Sequence, residues 1–253
     1  MKQRKKVRSL FISDVHLGCA HCKSKELLNF LRSIEPEYLY LVGDIIDGWK
    51  MKNKVFWNDE YTMILKRILG MVKGGTKVYY ITGNHDEFLR KFSESHFGNI
   101  EIVDEIIHTT SSGQKLLVIH GDIFDTLTIQ SKWLYTVGDK AYSVSMWINN
   151  IYNRVRKLFG FEYFSLSAVL KKSVKKAVNF VNNFEHYIVK CTIDKECTGV
   201  ICGHIHTPVI KKIENVDYYN CGDWVESCSA LIENDNGEIE LIFPKEESFK
   251  NEH

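Results

Sequence analysis

The chain has 253 residues, 44% of them hydrophobic and 26% charged, the balance of an ordinary folded domain. That balance excludes a disordered chain, a collagen-like repeat and a small disulfide scaffold, and three prolines exclude long proline-rich linkers. Lys+Arg is 33 against Asp+Glu 32, a net +1 that names no partner, yet 126–195 holds eleven basic and four acidic side chains, leaving +7 there and −6 elsewhere.

Lys2–Arg8 carries five basic residues and reads as a solvated tail, with membrane-surface contact the sharper alternative. Val7–Ser13, Tyr38–Val42 and Lys77–Thr82 are short runs rich in β-branched and aromatic residues, which predicts strands. Between them, Ser24–Ser33 and Asp59–Val72 space apolar residues by three and four, which predicts helices (Leu27, Leu28, Leu31; Met63, Ile64, Ile68, Met71). Two or three strands follow in Ile100–Gly121. Residues 126–195 read as mostly helical, broken near Gly160. Strands resume at Gly199–Cys202, Val216–Cys221, Ser229–Ile232 and Glu238–Phe243, the last two joined by a hairpin turn at Asn234–Gly237. The alternation predicts an α/β sandwich interrupted once by a helical insertion. Seven scattered cysteines, no signal-peptide pattern and no apolar run of transmembrane length predict reduced thiols in a cytoplasmic protein. Cys19-Ala20-His21-Cys22 has the spacing of zinc or redox motifs, but no second pair accompanies it.

The chemistry gathers where strands end: Ser13-Asp14-Val15-His16, Gly43-Asp44, Gly83-Asn84-His85-Asp86, His120-Gly121-Asp122 and Gly203-His204-Ile205-His206. Residues there face the crevice in which α/β folds bind ligands. Asp14 and His16 are two apart, as are His204 and His206, so on extended backbone each pair faces one way. Two carboxylates, one amide and four imidazoles exceed what one ion takes and suit two ions sharing a carboxylate. Oxygen and imidazole donors without thiolate favour Mn²⁺, with Zn²⁺ or Fe as alternatives. Such a pair of ions activates water for in-line attack on phosphorus. Asp47 and Asp125 follow these motifs closely and read either as supports of the site or as turn and helix caps.

In order and spacing these motifs resemble the calcineurin-like metallophosphoesterases, from about Leu10 to Phe243. The resemblance implies a four-layer α/β/β/α sandwich with a catalytic domain of residues 1–125 and 196–253 and a helical cap at 126–195. It implies that Asp14, His16, Asp44 and His206 hold one metal, and Asp44, Asn84, His120 and His204 the other. Two catalytic roles follow: His85 beside the phosphate, and Asp86 orienting His85. Asp14-Val15-His16-Leu17-Gly18, Gly43-Asp44-Ile45-Ile46-Asp47 and Gly222-Asp223-Trp224 are similar to the UDP-2,3-diacylglucosamine pyrophosphohydrolase group of lipid A biosynthesis. His85 stands where that group carries arginine. This narrower likeness implies hydrolysis of UDP-2,3-diacylglucosamine to UMP and 2,3-diacylglucosamine 1-phosphate. Another lipid, phosphodiester or nucleotide substrate is the enzymatic alternative, and a non-catalytic scaffold of the same fold the other.

The insertion holds twelve aromatics, from Trp133 to Tyr187, among its lysines. It reads either as helices packed on the sheet edge or as a cap lined for acyl chains, with a basic face for phosphate or the anionic inner membrane surface. Basic and aromatic residues also suit single-stranded nucleic acid, but no such module is legible.

Overall fold

In the computed structural model, residues 4–53, 55–125, 181 and 183–244 are described. Short β-branched runs with one or both faces buried build two sheets. The strands are β1 (Lys5–Ile12), β2 (Ile34–Val42), β3 (Lys77–Ile81), β4 (Ser95–Phe97), β5 (Ile100–Val103), β6 (Glu105–Thr109), β7 (Lys115–Ile119), β8 (Gly199–Cys202), β9 (Val209–Ile213), β10 (Val216–Asn220), β11 (Ala230–Glu233) and β12 (Ile239–Ile242). The first sheet runs β12-β11-β1-β2-β3-β5-β4 and the second β6-β7-β8-β10-β9. Strands β1, β2, β3 and β5 are parallel, as are β7, β8 and β10, so each sheet gathers its loop-bearing ends on one side.

Helices α1 (Ser24–Ser33) and α3 (Asp59–Lys73) each bury one stripe, Leu27, Leu28 and Leu31 on α1 and Tyr61, Ile64, Ile68 and Met71 on α3. The Asn58 side chain caps α3 by accepting from the Tyr61 amide at 2.9 Å. These stripes share a core with Leu10, Ile12, Leu39, Leu41, Val78 and Tyr80 of the first sheet. The opposite face supplies Phe11, Tyr40, Val42 and Ile81 to a second core with Leu116, Val118 and Ile201 of the second sheet. Leu117, Val200 and Tyr218, on the far face of that sheet, are buried too, as are Ile188 and Val189 of the helix α4 at 183–194. The layers are α/β/β/α.

The chain divides into two compact units, residues 1–122 with 188–253, and residues 123–187. In the second unit, Phe124 meets Phe184 edge-on at 6.1 Å. Apart from Phe184 and Tyr187, the aromatics read from the insertion lie outside the described residues, as does most of its basic charge. Among the described residues, no helix is long and apolar enough to cross a membrane.

Four differences from the sequence reading have physical causes. Lys5–Arg8 is strand rather than tail, because Arg8 is drawn into an ion pair with buried Glu233 at 2.7 Å. Helix α2 (Gly48–Asn53) has only six residues, too few to show a period, and the Asp47 carboxylate starts it by accepting from the Lys50 amide. Strand β9 is a mostly exposed edge, its lysines masking the alternation. Strand β4 is three residues long.

Candidate metal centre

The five motifs follow β1, β2, β3, β7 and β8 and meet beyond the strand ends. Asp14, His16, Asp44, His204 and His206 all take left-handed backbone, with φ between 50° and 69°. For non-glycine residues this conformation costs roughly 1–2 kcal/mol each, a concentration of strain typical of functional sites. The expectation of extended backbone at Asp14–His16 and His204–His206 is therefore corrected. Asp14 and His16 still share a cluster, but His204 and His206 enter different ones because the left-handed turns re-aim them. The loops are stitched by main-chain bonds, Asp14 N–H to the Gly43 carbonyl at 3.1 Å and His16 N–H to the Asp44 carbonyl at 2.9 Å. Glycine is required at Gly43, where φ is +74° and a Cβ would collide with the His120 ring, and at Gly83, where a Cβ would collide with the Asp44 carboxylate.

Among the described residues, three groups of potential ligand atoms form, each with its atoms within 4.8 Å of one another: Asp14 with His16 and His206, Asp44 with His120 and His204, and His16 with Asp47 and His85. In both central carboxylates one oxygen is anchored. Asp14 Oδ2 accepts from the Ser13 hydroxyl at 2.6 Å and the His204 amide at 2.9 Å. Asp44 Oδ1 accepts from the His85 amide at 2.8 Å, while Oδ2 faces His120 Nε2 at 3.4 Å and His85 Nε2 at 3.9 Å. His120 Nδ1 lies 3.0 Å from the Val42 carbonyl, which can only accept. A proton therefore sits on Nδ1, and Nε2 is the atom left to take either a second proton or a ligand.

The fit to metal ions rests on what these anchors leave over. Asp14 Oδ1, His16 Nε2, Asn84 Oδ1 and His120 Nε2 are buried with no hydrogen-bond partner among the described residues. His206 Nε2 approaches Asp14 Oδ1 to 3.0 Å as an ion pair. Buried polar atoms left unpaired are costly, and four of them on four expected ligands call for a cation. Charge agrees. Burial opposes ionisation of Asp14 and Asp44, but the surrounding imidazoles outweigh it, driving Asp14 far down and Asp44 to about 2. Burial likewise opposes protonation of His206 and His120, but Asp14 pushes His206 up to about 9 and Asp44 raises His120 well above its ordinary value. The pocket demands positive charge.

Asn84 is flanked by residues that touch Asp44, Gly83 on one side and His85 on the other. Asp86 does not orient His85, as expected from their adjacency in sequence. Its turn carries the carboxylate inward, where it accepts from Gly83 N–H (2.6 Å), Ile45 N–H (2.9 Å) and Tyr80 O–H (2.7 Å), pinning the β2 and β3 loops together. Asp47 is the partner of His85, at 3.0 Å from its Nδ1, and it also faces His16 Nδ1 at 3.5 Å. Burial lowers the His85 pKa, but Asp47 and then Asp44 more than offset it and raise it. Ser13, Val42 and Tyr80 act through others and carried no signal beyond adjacency to a motif.

The comparisons with known proteins follow this geometry. The family model of the calcineurin-like phosphoesterases matches residues 7–208. Proteins named UDP-2,3-diacylglucosamine hydrolase are 25% identical over 247 residues in Vibrio cholerae serotype O1, covering 89% of this chain and 94% of that one. The one from Blochmanniella floridana is 27% identical over 252 residues, covering 93% and 97%. Among solved structures, Yfce, a phosphoesterase from E. coli, gives a TM-score of 0.44 at 13% identity, over 94% of this chain and 99% of that one. The family match spans the strand ends and every expected ligand from Asp14 to His206, and the chain belongs to the calcineurin-like phosphoesterase family.

Proposed function

We propose that the chain hydrolyses a phosphoric anhydride with two divalent ions. Asp14, His16, Asp44 and His206 would hold one, and Asp44, Asn84, His120 and His204 the other, with Asp44 common to both sets. The observation that carries this reading is the set of unpartnered buried atoms on Asp14, His16, Asn84 and His120. When bound, the ions supply Lewis-acid activation of water and of the phosphoryl oxygens. His85 holds a proton on Nδ1 against Asp47 and donates from Nε2 to the departing oxygen, its raised pKa keeping that proton available near neutrality. Asp86 keeps the loops that present Asp44 and Asn84 in register. Manganese is the favoured ion, since the clusters offer carboxylate and imidazole and no thiolate.

The substrate class comes from the relatives, which are named for UDP-2,3-diacylglucosamine and align over about nine-tenths of the chain. On this reading the pyrophosphate is cut to give UMP and 2,3-diacylglucosamine 1-phosphate, and residues 126–195 cap the acyl chains. The protein works in the cytoplasm, where its seven free thiols persist, at the anionic inner membrane surface. Calorimetric titration of chelator-treated protein with Mn²⁺ tests the centre. Two equivalents are expected for the native chain, with the shared site lost in Asp44→Ala. No saturable binding to the native chain would contradict the reading.

A further inference from the structure

Directly after the site's Asp47, the chain runs Gly48-Trp49-Lys50-Met51-Lys52-Asn53-Lys54-Val55-Phe56-Trp57. Val55, Phe56 and Trp57 are consecutive and 62%, 42% and 38% exposed. Single exposed apolar residues are ordinary; three in succession, two of them large aromatics, mark an interaction surface. The triplet is held in place. Trp57 Nε1–H donates to Thr62 Oγ1 at 3.1 Å. The rings of Phe56 and Trp57 meet Tyr61 edge-on at 6.1 Å and 5.5 Å. Tyr61 is itself buried and donates its hydroxyl proton to the Cys19 carbonyl at 2.6 Å. The exposed surface is therefore anchored from behind.

Charge decides what it fits. From Gly48 to Asn58 there are three lysines and no acidic residue. Lys50 and Lys52 are exposed, and the nearest acidic partner of Lys52 is the exposed Glu87 at 4.0 Å, a weak pair. The first acids beyond the triplet, Asp59 and Glu60, belong to the first turn of α3, where they complement the helix N-terminus. Lysines beside an exposed tryptophan and phenylalanine match a bilayer interface, with phosphates at the headgroup level for the lysines and the acyl boundary for the rings. The segment also starts at the site wall: Gly48 N–H donates to the His85 carbonyl at 2.9 Å, and the Trp49 ring lies 4.3 Å from that of His85.

We infer that Lys50, Lys52 and Val55–Trp57 seat the protein on an anionic phospholipid bilayer, bringing His85 and its metal centre to the headgroup level. The inference rests on the proposed lipid-linked substrate for its purpose, not for its geometry. The test is sedimentation with vesicles of phosphatidylcholine, alone or mixed with phosphatidylglycerol, at low and high salt. It compares the native chain with a Val55→Ser/Phe56→Ser/Trp57→Ser variant and with a Lys50→Gln/Lys52→Gln variant. The native chain is expected to bind the anionic vesicles, and the triple variant to partition at least about tenfold more weakly at either salt. The lysine variant should match the native chain at high salt only, since screening removes only the charge contribution. Both variants should stay folded by circular dichroism, and Mn²⁺-supported hydrolysis of bis(4-nitrophenyl) phosphate, a water-soluble ester, should be unchanged in both. Equal vesicle binding by native and triple-variant chains would overturn the inference. So would a native chain that ignores vesicles but forms a concentration-dependent dimer lost in the triple variant. Vesicle binding through Val55–Trp57 without hydrolysis of UDP-2,3-diacylglucosamine in micelles would uphold the surface and remove the substrate.

Discussion

Asp47 touches His85 and His16 at once, so one carboxylate links the proposed proton donor to a proposed metal ligand. His85→Ala and Asp47→Asn should therefore fail differently. Removing His85 is expected to lower kcat by ~10²–10³ with Mn²⁺ affinity intact. Replacing Asp47 should lower kcat and also weaken Mn²⁺ binding by about 10–100-fold, the usual effect of losing a ligand's orienting partner. Steady-state kinetics beside metal titration separates them; an unaltered Mn²⁺ affinity in Asp47→Asn would detach it from His16. The residues that gather at the centre were legible because each stands at a strand end beside glycine or within a two-residue spacing. Asp47 was not, because an acid just ahead of a short helix also reads as its cap, and it is that cap as well. Asp86 misled for a different reason. Adjacency in sequence suggests contact, but the turn at Gly83–Asp86 folds its carboxylate back onto Gly83 and Ile45.

Between elements, a buried polar tie joins the two sheets. Glu233 on β11 accepts from Ser9 O–H at 2.5 Å and from Arg8 at 2.7 Å, and meets His108 Nε2 of β6 at 2.8 Å. His108 Nδ1 lies 2.8 Å from the Tyr40 hydroxyl on β2. Burial raises the pKa of Glu233, but His108, Ser9 and the Ser111 amide outweigh it and bring it from 4.5 to about 2. A depressed carboxylate stabilises the fold while ionised. Its contribution is complete above the unfolded value near 4.5 and is lost as pH falls toward 2. That contribution is on the order of 3 kcal/mol, at about 1.4 kcal/mol per unit. Glu233→Gln should lower the melting temperature at pH 7 and flatten its fall between pH 5 and 2, as followed by circular dichroism. An unchanged acid limb would assign the transition to other carboxylates. Helix α1 was legible residue for residue, since Leu27, Leu28 and Leu31 share one face. This tie was not, because nothing local in Ser9, His108 and Glu233 announces that they meet across more than a hundred residues of chain.

At the scale of the whole molecule, the two cores fix the strands, and the strands present five loops, three of them strained, to one centre. Parallel order in both sheets does this, and it is why motifs as far apart as Asp14 and His206 act together. Residues 126–195 stood out in the sequence by charge and aromatic content, but composition does not encode a role. Substrate chemistry joins these scales. On the proposed reading, the metal centre, His85 and the surface at Val55–Trp57 would serve one reaction, attack of water on the pyrophosphate of a nucleotide-linked lipid. Incubating the Mn²⁺-loaded full chain with UDP-2,3-diacylglucosamine in detergent micelles, and identifying the products by mass spectrometry, tests this most directly. UMP and 2,3-diacylglucosamine 1-phosphate are the expected pair, in a reaction abolished by chelator. Intact substrate beside brisk hydrolysis of bis(4-nitrophenyl) phosphate, or release of UDP instead of UMP, would contradict it.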